Sequence, residues 1–316
     1  MRPAHAAWSP PGSWGVEVLL GYQNTWAMSS NVKHYLDSLP GRRTLGPDDA
    51  RAIAALQGEA YLVDLELGML DVALHRKLDE RWSLYAIFGA VSYGGGFLDG
   101  TIEKFHSAFG FNSYARPAVE RNDVNVILDL KGTQGEVIRP SPSSGLVDPT
   151  VGLRYSVMPA PSPWNLVLEG AMKIPFRGRR DYLSSGHFDV GVQATLQRFM
   201  GRHALYASLA AVDARNGLPN ARRSKLVPTA IAGYEYGYSD RTSFVVQGHA
   251  SRSALSREDT ELDELLGDKY QYSIGLRHRI GRALWTFAIT ENAGNVNNTP
   301  DFGFQIGWTY SPALAR

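Results

Sequence analysis

Asp301-Phe302-Gly303-Phe304-Gln305-Ile306-Gly307-Trp308-Thr309-Tyr310 alternates small or polar residues with large apolar ones at every step. Successive side chains of a strand point to opposite faces. Phe302, Phe304, Ile306, Trp308 and Tyr310 therefore share one apolar face, and Asp301, Gly303, Gln305, Gly307 and Thr309 share the other. One such strand fits any half-buried sheet. The same beat recurs along the chain and often ends in aromatics, which is the pattern of a barrel with lipid outside and a polar lumen inside.

Residues 14–28 set Trp14, Val16, Val18, Leu20, Tyr22, Trp26 and Met28 against Gly15, Glu17, Gln23 and Thr25. In residues 59–75 the expected outward row is Tyr61, Val63, Leu65, Leu67 and Met69, opposite Asp64, Glu66 and Gly68. A third strand starts at Trp82 and ends near Gly94-Gly95-Gly96. After an interruption over 98–144 the beat resumes in 147–157, 164–174, 187–197, 203–212, 225–238, 242–252, 269–280, 284–290 and 301–310. Short connections alternate with long ones, as they do in outer-membrane barrels, and about twelve strands give the even count such barrels have. Soluble strands average nearer ~5–6 residues, so runs of ten or more favour the membrane barrel over a soluble sandwich. The expected fold is an all-β, antiparallel transmembrane barrel of about 12 strands, with a long helix-plus-hairpin insertion after the third.

Helical signals are few. Residues 47–56 carry Pro47 in the first turn, with Asp48 and Asp49 where the helix dipole favours anions. Residues 256–266 read as a loop helix with Ser256 as N-cap and Gly267 as the stop. In the insertion, Leu98, Ile102, Phe105 and Phe109 fall at helical spacing, with Asp99 placed as an N-cap. Residues 124–128 and 136–138, flanking Lys131–Gly135, read as a hairpin.

Composition narrows the class. The chain has 316 residues, a formal net charge of +1 and no cysteine. That removes a bulk electrostatic case for nucleic acid, thiol catalysis and cysteine-based zinc sites. Mean hydropathy is −0.23 although 44% of residues are hydrophobic, because half of every barrel strand faces water. No run reaches the ~18 apolar residues of a membrane helix. The first residues have no apolar signal core, and Ala4-His5-Ala6 has the form of a cleavage remnant, so the export signal is expected to be already removed. The expected organisation is a periplasmic tail (1–13), the outer-membrane barrel (14–310) and a short C-terminal tail (311–316).

Gly94-Gly95-Gly96-Phe97-Leu98-Asp99-Gly100-Thr101-Ile102-Glu103-Lys104-Phe105-His106-Ser107-Ala108-Phe109-Gly110, Thr290–Asn295 and Thr299–Phe304 resemble a family of uncharacterised bacterial outer-membrane β-barrel proteins carrying a domain-of-unknown-function label. The resemblance runs from about Trp14 to Tyr310. It implies export to the envelope and barrel form, and brings no activity, substrate or catalytic residue.

The polar parity of the strands gives lumen candidates: Glu17, Asp64, Glu66, Asp148, Arg154, Glu169, Lys173, Asp189, Gln193, Glu235, His249 and Arg277. Charges in a narrow lumen are costly unless paired, so a salt-bridge network is expected. Leu98, Ile102, Phe105, Phe109 and Phe111 either plug the lumen, make an apolar pocket at its mouth, or pack an ordered loop. Glu291, Asn292, Asn295, Asn297, Asn298 and Asp301 form an oxygen-rich loop, read as turn chemistry before a Ca²⁺ site. Eight histidines are present, none in a metal-protease or nucleophile-elbow pattern. No metal or cofactor is expected. The leading expectation is a passive channel for a small molecule, hydrophobic ones included, gated by 98–144. A non-catalytic scaffold docking an envelope protein stands second. A membrane hydrolase built from Ser184, Ser185 or Ser243 with His106, His187 or His249 stands third. Outer-membrane lipid, including lipopolysaccharide, is the expected surrounding partner.

Overall fold

Strict alternation makes strands that cannot bury both faces in a single open sheet, and here they close on themselves. The computed structural model describes residues 10–133, 144–158, 162–176, 183–215 and 224–310. Its strands are β1 (Trp14–Met28), β2 (Ala60–Lys77), β3 (Trp82–Gly94), β4 (Asn125–Asp129), β5 (Gly145–Leu146), β6 (Thr150–Ser156) and β7 (Trp164–Lys173). They continue with β8 (Asp189–Met200), β9 (His203–Ala214), β10 (Lys225–Gly237), β11 (Thr242–Ser251), β12 (Lys269–Ile280), β13 (Ala283–Ala293) and β14 (Phe302–Tyr310). The helices are α1 (Ser30–Asp37), α2 (Pro47–Ala54), α3 (Asp99–Phe109) and α4 (Asp263–Leu266). β1–β3 and β6–β14 form a closed antiparallel ring of twelve strands, sealed by β1 against β14 and by β2 against β3. The two-residue turns Gly201-Arg202 and Gly281-Arg282 place glycine first, with φ of +59° and +58°, as a tight hairpin of this hand requires.

The outer surface carries a belt of exposed apolar side chains, among them Leu20, Phe88, Val192, Leu209 and Ile274. On β1 the belt runs from Trp14 to Tyr22. Eight steps of ~3.3 Å, tilted by ~40°, span about 20 Å, close to the ~25 Å apolar band of a membrane barrel. No helix among the described residues is long and apolar enough to cross a membrane.

β1 and β2 are the longest strands, 15 and 18 residues, and rise above the belt at the long-loop end. There the outer face of the β1–β2–β4 sheet (Trp26, Met28, Ala60, Leu62, Ile127) is covered by Val32 and Leu36 of α1 and Ala50 and Ile53 of α2. This is the main dry core. The inner face (Ala27, Tyr61, Leu130) is covered by Leu262 and Leu265.

That double covering corrects the expected facing of β2. The β1–β2 register runs unbroken from Trp14↔Arg76 to Met28↔Leu62, so odd positions of both strands face inward throughout. Below Gly68 the outward row is Leu70, Val72 and Leu74. Above it, Asp64 and Glu66 occupy that same outer row and are each only 2% exposed, beneath the insertion. They do not face the lumen. The apolar phase inverts because the surroundings do: outside changes from the belt to a buried polar network, and inside from the lumen to the underside of a loop.

Other local expectations also shift. α1 carries no strong sequence signal. α4 spans only Asp263–Leu266, because Asp259 takes both the N–H and the hydroxyl of Ser256 and folds 256–259 as a separate turn. β4, the first arm of the expected hairpin, pairs with the top of β2. The second arm of that expected hairpin, 136–138, lies outside the described residues.

Candidate functional site in the barrel interior

A cavity of about 420 Å³ lies inside the ring, touching β1–β3 and β6–β12. Its wall mixes aliphatic groups (Leu19, Ile87, Val167, Ile231, Val245) with amides and hydroxyls (Gln193, Thr195, Ser208, Gln247). Gln193 donates to Thr195 at 2.8 Å, and Thr195 and Ser208 are 2.8 Å apart across β8 and β9.

Charged groups gather near the short-turn end in two clusters. In one, Arg154 Nε meets Glu169 Oε2 at 2.5 Å, and Tyr85 donates to the other carboxylate oxygen at 2.7 Å. The guanidinium lies over the Tyr85 ring at 4.2 Å, with His75 Nδ1 3.2 Å away and Glu17 3.6 Å beyond the far ring nitrogen. This chain crosses five neighbouring strands. Gly152 makes room for it, since a Cβ there would sit 2.2 Å from the Tyr85 ring. In the second cluster, Arg277 meets Glu235 at 2.5 Å, and Tyr206 and Ser243 both donate to that carboxylate, at 2.8 and 2.5 Å. Their side chains are 3% and 11% exposed, so the pair is desolvated and strongly held. Removing one partner of such a pair costs about 3–5 kcal/mol.

Nearer the long-loop end, Lys173 contacts Asp189 at 2.5 Å and Asp148 at 4.0 Å, and donates to Ser185 at 2.7 Å. Lys173 and Asp189 face a second cavity of about 250 Å³, shared with Tyr85, Glu169 and Gln193. His249 stands on the inward parity of β11, half-buried, and its Nδ1 has no hydrogen-bond partner. Of the sequence candidates, Glu17, Arg154, Glu169, Lys173, Asp189 and Arg277 thus line the interior, while Asp64 and Glu66 do not.

Those two belong to a polar cluster on the outer face. Glu66 accepts the backbone N–H of Phe97 at 2.9 Å and of Leu98 at 2.7 Å. Gly95 and Gly96 permit that approach: a Cβ on Gly96 would fall 1.8 Å from Glu66, and one on Gly95 1.7 Å from the Asn122 carbonyl. Asp99 is the first helical residue of α3 rather than its N-cap. Its carboxylate is occupied elsewhere, by Arg116 (2.5 Å), the Asn24 amide (3.2 Å) and the N–H of Asn122 (2.8 Å). Arg116 also reaches Asn24 (3.0 Å) and Asp301 (2.9 Å), and lies over Trp26 at 5.0 Å. Asn125 donates to Asp64 at 3.0 Å. Leu98 and Ile102 are therefore buried on the outside of the wall, and Phe105, Phe109 and Phe111 are exposed there. The α3 part of the insertion thus lies outside the wall, while Leu128 and Leu130 pack on the inner face with Tyr61.

The loop over the inner face joins β11 to β12. Glu59 accepts the Thr260 hydroxyl (2.5 Å) and the N–H groups of Glu261 and Lys131 (both 2.7 Å). Asn295 and Asn298 donate to the carbonyls of Glu264 (2.8 Å) and Gly267 (3.0 Å), and Tyr61 donates to that of Asn297 (2.9 Å). The asparagine-rich loop thus ties residues 263–267 down over the inner face of β2 through the Asn295 and Asn298 side-chain amides. Among the described residues no group of three or more potential metal ligands occurs. The side-chain partners of Ser184, Ser185 and Ser243 are Asp148, Lys173 and Glu235.

The chain is similar in fold to an outer membrane channel from Pseudomonas putida F1, at 12% identity and a TM-score of 0.59 over 98% of this chain and 99% of that one. It also matches the NanC porin (8% identity, TM-score 0.48, 94% of this chain, 99% of that one). A third match is the P. putida toluene transporter TodX (10%, 0.44, 98% and 92%). At such identities the likeness is one of fold, and the last two are too loose to carry an argument. No curated protein matches the chain. Residues 49–311 match a family described as "Protein of unknown function (DUF3187)".

Proposed function

The chain belongs to that DUF3187 family, and from this premise we propose that it is a bacterial outer-membrane channel passing a small neutral solute of mixed polarity. The observation that carries the reading is the interior itself. A cavity of about 420 Å³ falls within the ~300–1,000 Å³ of small-molecule sites, and its wall combines aliphatic patches with amides and hydroxyls. Arg154–Glu169 and Arg277–Glu235 compensate one another in pairs, so much of the wall's charge is balanced internally. A hydrophobic solute with one or two hydroxyl or carbonyl groups suits such a lining. The apolar belt supports a membrane location, with the short turns and both strand termini on the periplasmic side.

In this reading the constriction of the route lies between Arg154–Glu169 and Arg277–Glu235, toward the periplasmic end. At the outer end it passes the loop spanning 252–268, which takes the gating role expected of 98–144. Liposome swelling and planar-bilayer conductance test this reading. The double variant Glu235→Gln/Arg277→Met removes one constricting pair without leaving an orphan charge. It is expected to admit uncharged solutes faster than the unaltered barrel. Identical, vanishing flux through both proteins would refute the channel reading.

A further inference from the structure

We infer that the C-terminal half of α3 and the turn after it form a membrane-interface anchor, with Phe105, Phe109 and Phe111 seated among outer-leaflet acyl chains beside the barrel. This inference rests on the membrane-barrel reading above, and adds a lipid contact made by an extramembrane loop.

The stripe of α3 is split along its length. Leu98 and Ile102 are packed on the wall, each 6% exposed, whereas Phe105, Phe109 and Phe111 are 50%, 66% and 57% exposed. The three rings gather into one surface, with centroids 4.8 Å (Phe105–Phe109), 5.8 Å (Phe105–Phe111) and 6.3 Å (Phe109–Phe111) apart. Three clustered, exposed phenylalanines are not a surface that water favours.

Continuity with the belt identifies the occupant. Phe97, just ahead of α3, stacks on Tyr22 at 4.9 Å, and Tyr22 stacks on Phe304 at 5.5 Å. Tyr22 ends the exposed belt on β1, and Phe304 lies beside it one step short of the end of β14's outward row, so the helix begins where the lipid-facing wall gives way to the loops. Its roll is fixed from the opposite side. Glu103, well over a quarter-turn from the Phe stripe at 100° per residue, is held by Arg42 (2.7 Å) and Arg121 (2.5 Å). A helix tethered outside the wall, polar on one side and aromatic on the other, has the form of an interfacial anchor.

The absence of cysteine allows single nitroxide labels without background. Phe109→Cys, Leu20→Cys in the belt and Asp48→Cys on exposed α2 are each labelled and reconstituted into dioleoylphosphatidylcholine vesicles. Collision with oxygen and with a water-soluble nickel chelate is then compared by power saturation. The anchor predicts that labels at 20 and 109 both favour oxygen and that the label at 48 favours nickel, with 109 about 5–10 Å below the headgroup boundary. A nickel-favouring label at 109 beside an oxygen-favouring label at 20 overturns the anchor and leaves the barrel reading intact. A nickel-favouring label at 20 overturns both. Phe109→Trp, which keeps an aromatic ring, gives a second measurement. Read as the difference from the unaltered protein with its seven tryptophans, the added signal supports the anchor if lipids brominated high on the acyl chain quench it, and overturns it if no bromine depth does.

Discussion

Arg116 is the residue whose loss should separate the insertion from the barrel. Its side chain is 3% exposed and shared between Asp99 (6% exposed) and Asp301 (17%). It also reaches Asn24 at 3.0 Å. Arg116→Met keeps much of the aliphatic stem but leaves two carboxylates facing one another without a cation. Orphaning a buried charge costs about 3–5 kcal/mol. At 1.36 kcal/mol per tenfold, local opening of α3 should become roughly 150- to 5,000-fold more frequent. Hydrogen exchange reads this directly at the Phe97 and Leu98 amides, which bond to Glu66. Those amides should lose protection while β9 and β10, on the far side of the ring, keep theirs. Adding Asp99→Asn to Arg116→Met removes one orphaned charge and should restore much of the protection. The reasoning is refuted if exchange at Phe97 and Leu98 rises less than about tenfold, or if protection falls equally around the whole ring.

Two further outcomes follow from the same region. Gly96→Ala would place a Cβ 1.8 Å from Glu66 at a backbone φ of +67°. It should free the Phe97 and Leu98 amides at about 1–3 kcal/mol per unsatisfied group, seen as faster proteolysis within α3 with an unchanged barrel mobility on gels. The cap formed by α1 and α2 should be acid-labile. Burial alone would raise Asp49, but hydrogen bonds from Tyr35, the Gly46 N–H and Arg43 outweigh it and hold the carboxyl below its usual range. A depressed folded value gives stability that is complete above the unfolded value, ~3.9, and is lost as pH falls through the folded one. Protection of the Val32 and Ile53 amides should therefore hold at pH ~5 and fade below pH ~3.9; loss already at pH ~6 would contradict it.

Much of the barrel can be read in the sequence because a bilayer enforces one rule on every strand it touches. β14, the lower part of β1 and β7–β13 obey that rule, and their strand extents follow from alternation. β2 shows where it stops working. Leu67 and Met69 look like a continuation of the outward row, yet face inward, because above Gly68 the outer surface is occupied by protein. Nothing local signals the change. Asp99 reads as a cap until Arg116, 17 positions later, and Asn24, 75 positions earlier, are brought to it. α1 escapes because Val32 and Leu36 are its only buried residues. The interior ion pairs are legible by residue but not by partner. Parity puts Arg154, Glu169, Glu235 and Arg277 inside, whereas the pairing depends on inter-strand register.

The seam of the ring has a consequence for how the molecule assembles. β1 meets β14 through nine positions, from Val16↔Tyr310 to Asn24↔Phe302. Joining residues that far apart in the chain carries a closure entropy of roughly 5 kcal/mol beyond the constant term, from the logarithmic dependence on loop length. One or two rungs cannot offset that, while a full zipper of nine can. Closing the ring is therefore expected to be an all-or-none suturing of the chain's two ends, and a chain truncated within its final nine strand residues to remain an open, sticky ribbon.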